Sequence, residues 1–267
     1  MALAAIAASR LIQQNVEPTS KALTAEYLKL ALSPEGFAAT SGGFEIGLLL
    51  LTFLAVALGP RPLRTRLRLN APPWPPRSKG VLYLLVALTF LAFSEAEELA
   101  LACVAGGLSE ALAATARVYR ETEGPMFFGL VLVMGVLGPV AEELFFRGYV
   151  QSRLVDRWGA WVGIGLSALL FALIHIDPML IVSAAGAGVI LGLLFLRTGS
   201  VRVTIVAHAA NNMLYALGVL PGADDLTSGA ALVVGVLSTL VFAVGFAAIM
   251  RLTPALTPAQ SRVIGVA

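Results

Sequence analysis

Long apolar stretches separated by short polar breaks occupy most of the chain from residue 44 onward. Most of these stretches approach the ~20 residues that an α-helix needs to cross a bilayer. Seven such windows predict transmembrane helices, at residues 44–59, 80–94, 125–150, 158–176, 179–196, 200–220 and 229–250. The pattern therefore predicts an all-α fold, a polytopic membrane helix bundle with about seven to eight transmembrane helices.

Residues 95–115 depart from this pattern, because three glutamates precede a weakly apolar run. An eighth crossing and a helix on the membrane surface are both compatible with that segment. Residues 60–79 contain six prolines and predict a stiff, non-helical connector. The chain is thus predicted to have four parts: an amphipathic, interfacial segment (1–43), a first transmembrane helix with its basic loop (44–79), the membrane bundle (80–251) and a C-terminal tail (252–267).

The composition agrees with a membrane protein. Apolar residues make up 58% of the chain and charged residues only 13%, against roughly 25% charged residues in an average soluble domain. The single cysteine, Cys103, excludes an intrachain disulfide and a multi-cysteine metal cluster. At the N-terminus no basic region precedes the short apolar run, so no cleaved signal peptide is expected.

Basic residues are concentrated in residues 60–79, which carry six arginines and lysines and no acidic residue. Under the positive-inside rule, this loop is predicted to be cytoplasmic rather than to bind nucleic acid. If seven spans alternate from there, 13 of the 18 lysines and arginines fall on the cytoplasmic side. This distribution favours the proposed orientation.

Two adjacent glutamates, Glu142 and Glu143, lie inside an apolar window and are followed by Arg147. A charged side chain near the middle of a membrane helix opposes insertion by about 2.5 to 3.5 kcal/mol, so these charges need a reason. Glu143 and Arg147 are four residues apart and share a helix face, which predicts a structural ion pair. Glu142 is rotated by about 100° from its neighbour and is free for other chemistry.

Glu142 and His175 lie about 14 and 16 residues from the polar break at residues 156–159, on the two arms of a predicted helical hairpin. At 1.5 Å per residue, each is roughly 21 to 24 Å from the turn. Gly135 and the Gly138-Pro139 pair can kink the first arm. The two side chains are therefore predicted to meet at one depth.

Both histidines of the chain occur in pairs with i, i+4 spacing. Phe171 precedes His175 by one turn, which places an aromatic wall beside the imidazole, and Asn212 follows His208 by one turn. An imidazole and a carboxamide side by side can donate hydrogen bonds to an oxygen on which negative charge develops. Asn211 is expected to point elsewhere and to pack. A lone membrane histidine more often makes a packing hydrogen bond, but two histidines beside intramembrane carboxylates favour one site.

Glu95, Glu97 and Glu98 form another acidic group, at the edge of an apolar window. No arginine follows the Glu97-Glu98 pair at the spacing of an ion pair on a helix. A solvated or interfacial helix face is predicted there, with the alternative that one of the three lines a cavity.

Three motifs in this order resemble those of the CPBP intramembrane proteases. That family includes the type II CAAX prenyl endopeptidases and bacterial proteins linked to bacteriocin processing or self-immunity. The motifs are Glu142-Glu143-x-x-x-Arg147, Phe171-x-x-x-His175 and His208-x-x-x-Asn212. The resemblance covers roughly residues 125–220, and no motif position departs from the family pattern.

This resemblance implies hydrolysis of a peptide bond of a membrane-associated protein or peptide, at an active site inside the bundle. The roles that it implies are Glu142 as the general base that activates water, His175 helping to hold that water, His208 with Asn212 stabilising the oxyanion, and Glu143, Arg147 and Phe171 in support. Participation of zinc stays open. Glu142, His175 and His208 can supply the three ligands of a catalytic zinc ion, and a metal-free glutamate mechanism uses the same side chains.

Two other functions stay open on the sequence alone. A non-catalytic membrane scaffold or immunity protein would use the same cavity for binding. An ion-coupled transporter also uses intramembrane Glu and His, but the chain shows no internal repeat. The expected partners are the lipid bilayer and a membrane-associated or lipidated substrate, without nucleic acid, and the Ala-, Leu- and Arg-rich composition favours a bacterial cytoplasmic membrane.

Overall fold

The computed structural model describes residues 2–14, 16–57, 62–218 and 226–254, and every regular element in these ranges is helical. Within them, five helices are long and apolar enough to cross a membrane. These helices are Pro34–Ala57, Pro76–Ala105, Gly124–Trp158, Pro178–Thr198 and Ser228–Leu252. The predicted all-α, polytopic membrane bundle is confirmed, and the chain is an integral membrane protein.

The α-helices of the described ranges are numbered in chain order. They are α1 (Ala2–Gln13), α2 (Ser20–Ala31), α3 (Pro34–Ala57), α4 (Leu63–Arg66), α5 (Lys79–Ala105), α6 (Glu110–Glu121), α7 (Gly124–Leu132), α8 (Gly138–Glu143), α9 (Ser152–Trp158), α10 (Ala160–Leu173), α11 (Pro178–Thr198), α12 (Val201–Ala216) and α13 (Ser228–Leu252). Two π-helical segments, Val133–Leu137 and Leu144–Gln151, join α7, α8 and α9 into one continuous rod. We call this rod, Gly124–Trp158, the site helix.

Each of the seven predicted windows contains a helix, although two of these helices are short. The apolar helix α10 has 14 residues and α12 has 16, fewer than the ~20 residues of a full crossing. The chain turns after α10 at Ile176, which has a positive φ of 64°, and Asp177 then caps the N-terminus of α11. α10 is thus shorter than the 158–176 window from which it was predicted.

Residues 95–105 continue the helix of the 80–94 window, so they form no separate eighth crossing. The membrane-surface helix stays a prediction for the part of the segment that belongs to the next helix, α6. α5 runs without a break from Lys79 to Ala105 and ends at Gly106, whose φ of 77° suits a left-handed cap. α6 begins after Ser109, whose hydroxyl accepts a hydrogen bond from the backbone N–H of Leu112. The acidic residues that begin at position 95 therefore belong to a membrane helix that extends beyond its apolar window.

The proline-rich connector is helical in two short places, which corrects the prediction of a non-helical segment. α4 follows Pro62, and a 3₁₀ turn covers Pro76–Ser78, since a proline fixes φ near the helical value at the start of a helix. The connector passes close to the site helix, because a methyl group at Gly148 would lie 3.0 Å from the carbonyl oxygen of Leu67. Residues 219–225 and the predicted tail beyond residue 254 lie outside the described residues.

The first π-helical segment coincides with the position where glycine and proline predict a kink. It covers Val133–Leu137 and directly precedes Gly138-Pro139. A methyl group at Gly135 would lie 2.6 Å from the side chain of Met213. The absence of a side chain at Gly135 therefore lets α12 approach the site helix closely, and this approach brings the end of α12 to the site.

The predicted hairpin around the polar break at residues 156–159 is present as a close helix pair. Gly159, with a φ of 83°, forms the turn between α9 and α10. A methyl group at Gly163 would lie 2.7 Å from the backbone nitrogen of Val155, whereas one at Gly165 would meet nothing within 4 Å. On α10, Gly163 is thus packed tightly against α9, whereas Gly165 faces open space.

Substitution of these two glycines by alanine should have opposite effects on stability. Gly163→Ala places a methyl group against backbone atoms that cannot move aside, so it should destabilise the fold by about 1–3 kcal/mol. Gly165→Ala meets no neighbour and should stabilise α10 by about 0.5–1 kcal/mol through its higher helix propensity. Thermal midpoints of the purified proteins in detergent measure both effects. Equal midpoints for the two variants would contradict the close packing of α9 on α10.

Candidate active site

A cavity of about 560 Å³ lies inside the helix bundle. Side chains from α3, α5, α6, the site helix, α11 and α12 line it, together with the end of α10 and the turn that follows. All four predicted catalytic residues are among its lining residues, namely Glu142, His175, His208 and Asn212. The prediction that Glu142 and His175 lie at one depth in the helical hairpin is thus consistent with their shared cavity.

The ion pair predicted between Glu143 and Arg147 is present and fully buried. Nη1 of Arg147 lies 2.7 Å from Oε1 of Glu143, and their side chains are 1% and 0% exposed. The guanidinium also donates through Nη2 to the carbonyl oxygen of Gly188, at 3.3 Å, and lies 4.4 Å from the ring centroid of Phe171. Glu143 and Arg147 are therefore enclosed by protein, while the neighbouring Glu142 reaches the cavity.

Glu143 has a second partner, which the prediction of a purely structural ion pair missed. Nδ1 of His208 lies 3.1 Å from the same Oε1 that accepts from Arg147. An ionised carboxylate can only accept, so Nδ1 of His208 carries a proton and donates it to this hydrogen bond. Glu143 thereby fixes the orientation of the imidazole and turns its Nε2 atom away from the ion pair.

The other nitrogen of His208 faces Glu142. Nε2 of His208 lies 3.7 Å from Oε2 of Glu142, and the two side chains are about one-tenth exposed. This distance is longer than a direct hydrogen bond. The two groups therefore face each other without a direct hydrogen bond, and both line the cavity.

His175 lies in the turn after α10, rather than on the helix as its spacing from Phe171 predicts. Its ring remains beside Phe171, with centroids 5.2 Å apart, and its Nδ1 lies 3.0 Å from the carbonyl oxygen of Phe171. Because a carbonyl oxygen only accepts, Nδ1 is the donor and Nε2 keeps a free lone pair. The next residue, Ile176, adopts a left-handed conformation that is strained for a β-branched residue.

Phe171 is the shared wall of the site. Its ring contacts the imidazoles of His175 and His208, with centroid distances of 5.2 and 5.9 Å, and packs on Phe146 at 5.3 Å. Together with the guanidinium of Arg147, these contacts place four side chains against the ring. The aromatic wall that the Phe171–His175 spacing predicts is confirmed.

Asn212 lies one turn after His208 and also lines the cavity. Its Nδ2 donates to the carbonyl oxygen of Met134 at 3.2 Å, which leaves the second N–H of the amide available. Asn211 does not point elsewhere, which corrects the prediction for it. It lines the same cavity and donates to Oδ1 of Asn212 at 3.4 Å, so it helps to orient that amide.

The solvated face predicted for the acidic group on α5 is wrong. Glu95 is only 8% exposed, and Glu97 accepts a hydrogen bond from Ser183 at 3.1 Å. Glu98 lines the cavity, as the alternative allowed. The burial of these carboxylates was not predicted, because the apolar window at 80–94 covers only the first half of α5.

Glu45 is a cavity residue that the sequence analysis did not single out. It lies on α3, is 5% exposed, and lines the cavity with Glu142. A signal was present, since Glu45 is the one charged residue of the 44–59 window. A charged residue inside a membrane segment is by default a candidate functional residue.

The three-ligand zinc site that the sequence leaves open stays a prediction. Among the described residues, no three His, Cys, Asp or Glu side chains are grouped so that they could hold a metal ion. The Nδ1 atoms of His175 and His208 are both engaged, with Phe171 and Glu143, so both Nε2 atoms remain free to bind a water molecule, a substrate or a metal ion.

The fold and this site define a class of protein: a polytopic helical membrane protein with carboxylates and imidazoles on the wall of a cavity inside the bundle. Residues 124–214 match the family model described as type II CAAX prenyl endopeptidase Rce1-like. All of the predicted catalytic and supporting residues fall inside this segment. The resemblance inferred from the three motifs is therefore confirmed for residues 124–214.

A bacterial protein is similar to part of the chain. The chain is 25% identical over 83 residues to the protein named "Putative membrane peptidase YdiL" of Bacillus subtilis (strain 168). That alignment covers 31% of this chain and 34% of the relative, so the chain spans about a third of the length of the curated relative that it matches. No solved structure matches the chain.

Arg147→Met should strongly destabilise the fold, because it leaves the enclosed carboxylate of Glu143 without its balancing charge. Removing one partner of a buried ion pair costs about 3–5 kcal/mol. Arg10→Met is the matched control, since Arg10 is half exposed, Glu26 is 11% exposed and their charged groups are 3.8 Å apart; water screens this pair, so its loss should cost clearly less than that of the buried pair. Thermal unfolding in detergent compares them, and a similar loss of midpoint in both would contradict a structural role specific to the Glu143–Arg147 pair.

Proposed function

We propose that this protein is an intramembrane endopeptidase that hydrolyses a peptide bond of a membrane-associated protein or peptide. The observation that carries the proposal is the approach of Oε2 of Glu142 to Nε2 of His208, 3.7 Å apart on the wall of a cavity that His175 and Asn212 also line. The match of residues 124–214 to a type II CAAX prenyl endopeptidase model supports the same reaction class.

Glu142 is the proposed general base. A water molecule in the cavity gives one proton to the Glu142 carboxylate while its oxygen bonds to the carbonyl carbon of the substrate. Nε2 of His175 accepts a hydrogen bond from the other O–H of this water. It is free to do so because Nδ1–H of His175 donates to the carbonyl oxygen of Phe171. When the C–N bond breaks, protonated Glu142 passes its proton to the leaving nitrogen, so that a carboxyl group and an amine are released.

His208 and Asn212 are the proposed donors to the oxyanion. The free N–H of the Asn212 amide and Nε2 of His208 reach the same cavity, and negative charge develops on the carbonyl oxygen as water adds. His208 donates through Nε2 only when both ring nitrogens carry protons. The carboxylate of Glu143, 3.1 Å from Nδ1, balances the charge of that imidazolium.

The proposed substrate is a lipidated or otherwise membrane-anchored peptide that enters the cavity from the bilayer, in a bacterial cytoplasmic membrane. The cavity wall supports this choice, because apolar side chains such as Phe44, Leu101 and Met179 continue it beyond the polar group. A peptide with an apolar attachment could place its scissile bond at Glu142 while the attachment contacts these side chains.

Glu142→Gln should abolish cleavage by the purified protein. Loss of a general base lowers kcat by about 10²–10⁴-fold, and Gln keeps the shape of the side chain. The assay uses proteoliposomes with a library of membrane-anchored peptides, with and without lipid attachments. Glu95→Gln is the matched control, since Glu95 is equally buried on α5 but does not line the cavity, and it should retain cleavage.

The same assay separates the competing functions. Absence of Glu142-dependent cleavage of every peptide would contradict the protease proposal and favour a non-catalytic scaffold or immunity protein, and solute uptake without cleavage would favour a transporter. Cleavage that is lost on chelation and restored by zinc would contradict the metal-free mechanism. Cleavage that survives chelation supports it.

Asn212→Ala should lower kcat by about 10²–10³-fold, the usual cost of one oxyanion donor. KM should change little, because the donor acts on charge that develops only in the transition state. Steady-state kinetics on one cleaved peptide give both constants. An effect confined to KM would instead place Asn212 in substrate binding.

A further inference from the structure

Glu45 brings a second carboxyl group to the proposed general base. It lies on α3, outside the segment 124–214 that matches the family model, and its side chain is 5% exposed. α3 packs against the part of the site helix that carries Glu142. A methyl group at Gly138, one turn before Glu142, would lie 3.6 Å from Oε1 of Glu45. The Glu45 carboxyl group thus rests against the site helix at the level of Glu142.

The carboxyl groups of Glu45 and Glu142 line the same cavity and lie within reach of a shared hydrogen bond. Two ionised carboxylates have no proton to share and would repel each other, so this hydrogen bond requires a proton on one of them. The proposed mechanism needs Glu142 as the carboxylate. Glu45 is then the protonated partner, and its O–H is the donor.

The surrounding groups leave this task to Glu45. Glu143, next to Glu142 in the chain, is already bound to Arg147 and to His208. His175 donates to a backbone carbonyl oxygen. Oε2 of Glu45 is buried and has no hydrogen-bond partner, and Glu142 is the side chain within hydrogen-bonding reach of Glu45.

We propose that Glu45 is a positioning residue for the proposed hydrolysis: it donates a hydrogen bond to Glu142 and fixes the carboxylate whose Oε2 faces Nε2 of His208. This inference rests on the proposed function, since it assigns Glu45 a task in that reaction. Without the hydrogen bond, the Glu142 carboxylate can rotate away from the water and from the substrate carbonyl. The base would be present but misaligned.

Replacement of Glu45 by glutamine and by alanine separates a hydrogen-bond donor from a merely space-filling side chain. Glu45→Gln keeps an N–H donor of similar length, so kcat should stay within about threefold of wild type. Glu45→Ala loses the hydrogen bond to a charged group, which should lower kcat roughly 10- to 100-fold with little change in KM. Glu95→Ala, which removes a buried carboxyl group away from the cavity, should keep the wild-type kcat.

These kinetics have clear contrary outcomes. If Glu45→Gln is as impaired as Glu45→Ala, or if Glu45→Ala changes only KM, Glu45 does not act by donating to Glu142 and the inference is overturned. Glu142→Gln provides the separate test of the hydrolysis itself. A wild-type protein without Glu142-dependent cleavage would refute the proposed function, whatever the result at Glu45.

A thermal double-mutant cycle tests the contact without any substrate. Glu45→Ala and Glu142→Ala each remove the same hydrogen bond, so the double variant should lose clearly less in midpoint than the sum of the two single losses. Additive losses would mean that the two carboxyl groups do not interact, and they would overturn the inference. If an alanine variant does not fold, the cycle is run with Glu45→Met and Glu142→Met, which remove the hydrogen bond but fill the space, and its two outcomes are read in the same way.

Discussion

The enclosed carboxylate of Glu143 is the interaction on which the rest of the site depends. One of its oxygens accepts from Arg147 on the same helix and from His208 on α12. A buried charge is tolerated only when it is paired and hydrogen-bonded, and Arg147 supplies the pairing. The contact with His208 then ties the site helix to α12. The groups that α12 presents to the cavity, Nε2 of His208 and the amide of Asn212, are consequently held relative to Glu142 on the site helix.

The adjacent residues Glu142 and Glu143 have different roles because their side chains point about 100° apart on the helix. Glu143 faces the protein interior and supports the site, while Glu142 faces the cavity, where His208 lies across from it at 3.7 Å. Phe171 closes the arrangement from α10 by contacting the guanidinium of Arg147 and the rings of both histidines. The site helix, α10 and α12 thus meet around one aromatic ring and one carboxylate. The supporting residues are as deeply buried as any in the described structure, which keeps water away from the ion pair but not from Glu142.

Features governed by local helix geometry could be predicted from the sequence. The Glu143–Arg147 pair and the neighbourhood of Phe171 and His175 follow from spacing within a few residues. Contacts between helices could not be predicted in the same way. The bond between Glu143 and His208 joins residues 65 positions apart, and it depends on how closely α12 packs, which Gly135 permits. Glu45 was missed for the same reason, since a lone carboxylate in an apolar window does not reveal its partner. The turn at His175 escaped because the left-handed Ile176 follows no sequence rule for a β-branched residue.

The π-helical segments of the site helix constrain how its length can vary. A π-helical turn with i→i+5 hydrogen bonds accommodates more residues than an α-helical turn over a similar rise. Deletion of one residue within Leu144–Gln151 would let the backbone return to regular α-geometry, and the residues that follow would keep nearly the same orientation relative to Glu142 and Glu143. In a regular α-helical stretch the same deletion would instead rotate the following residues by about 100°. Alignments of this helix with that of a protein lacking these turns should accordingly open a gap beside the glutamates, not at the ends of the helix.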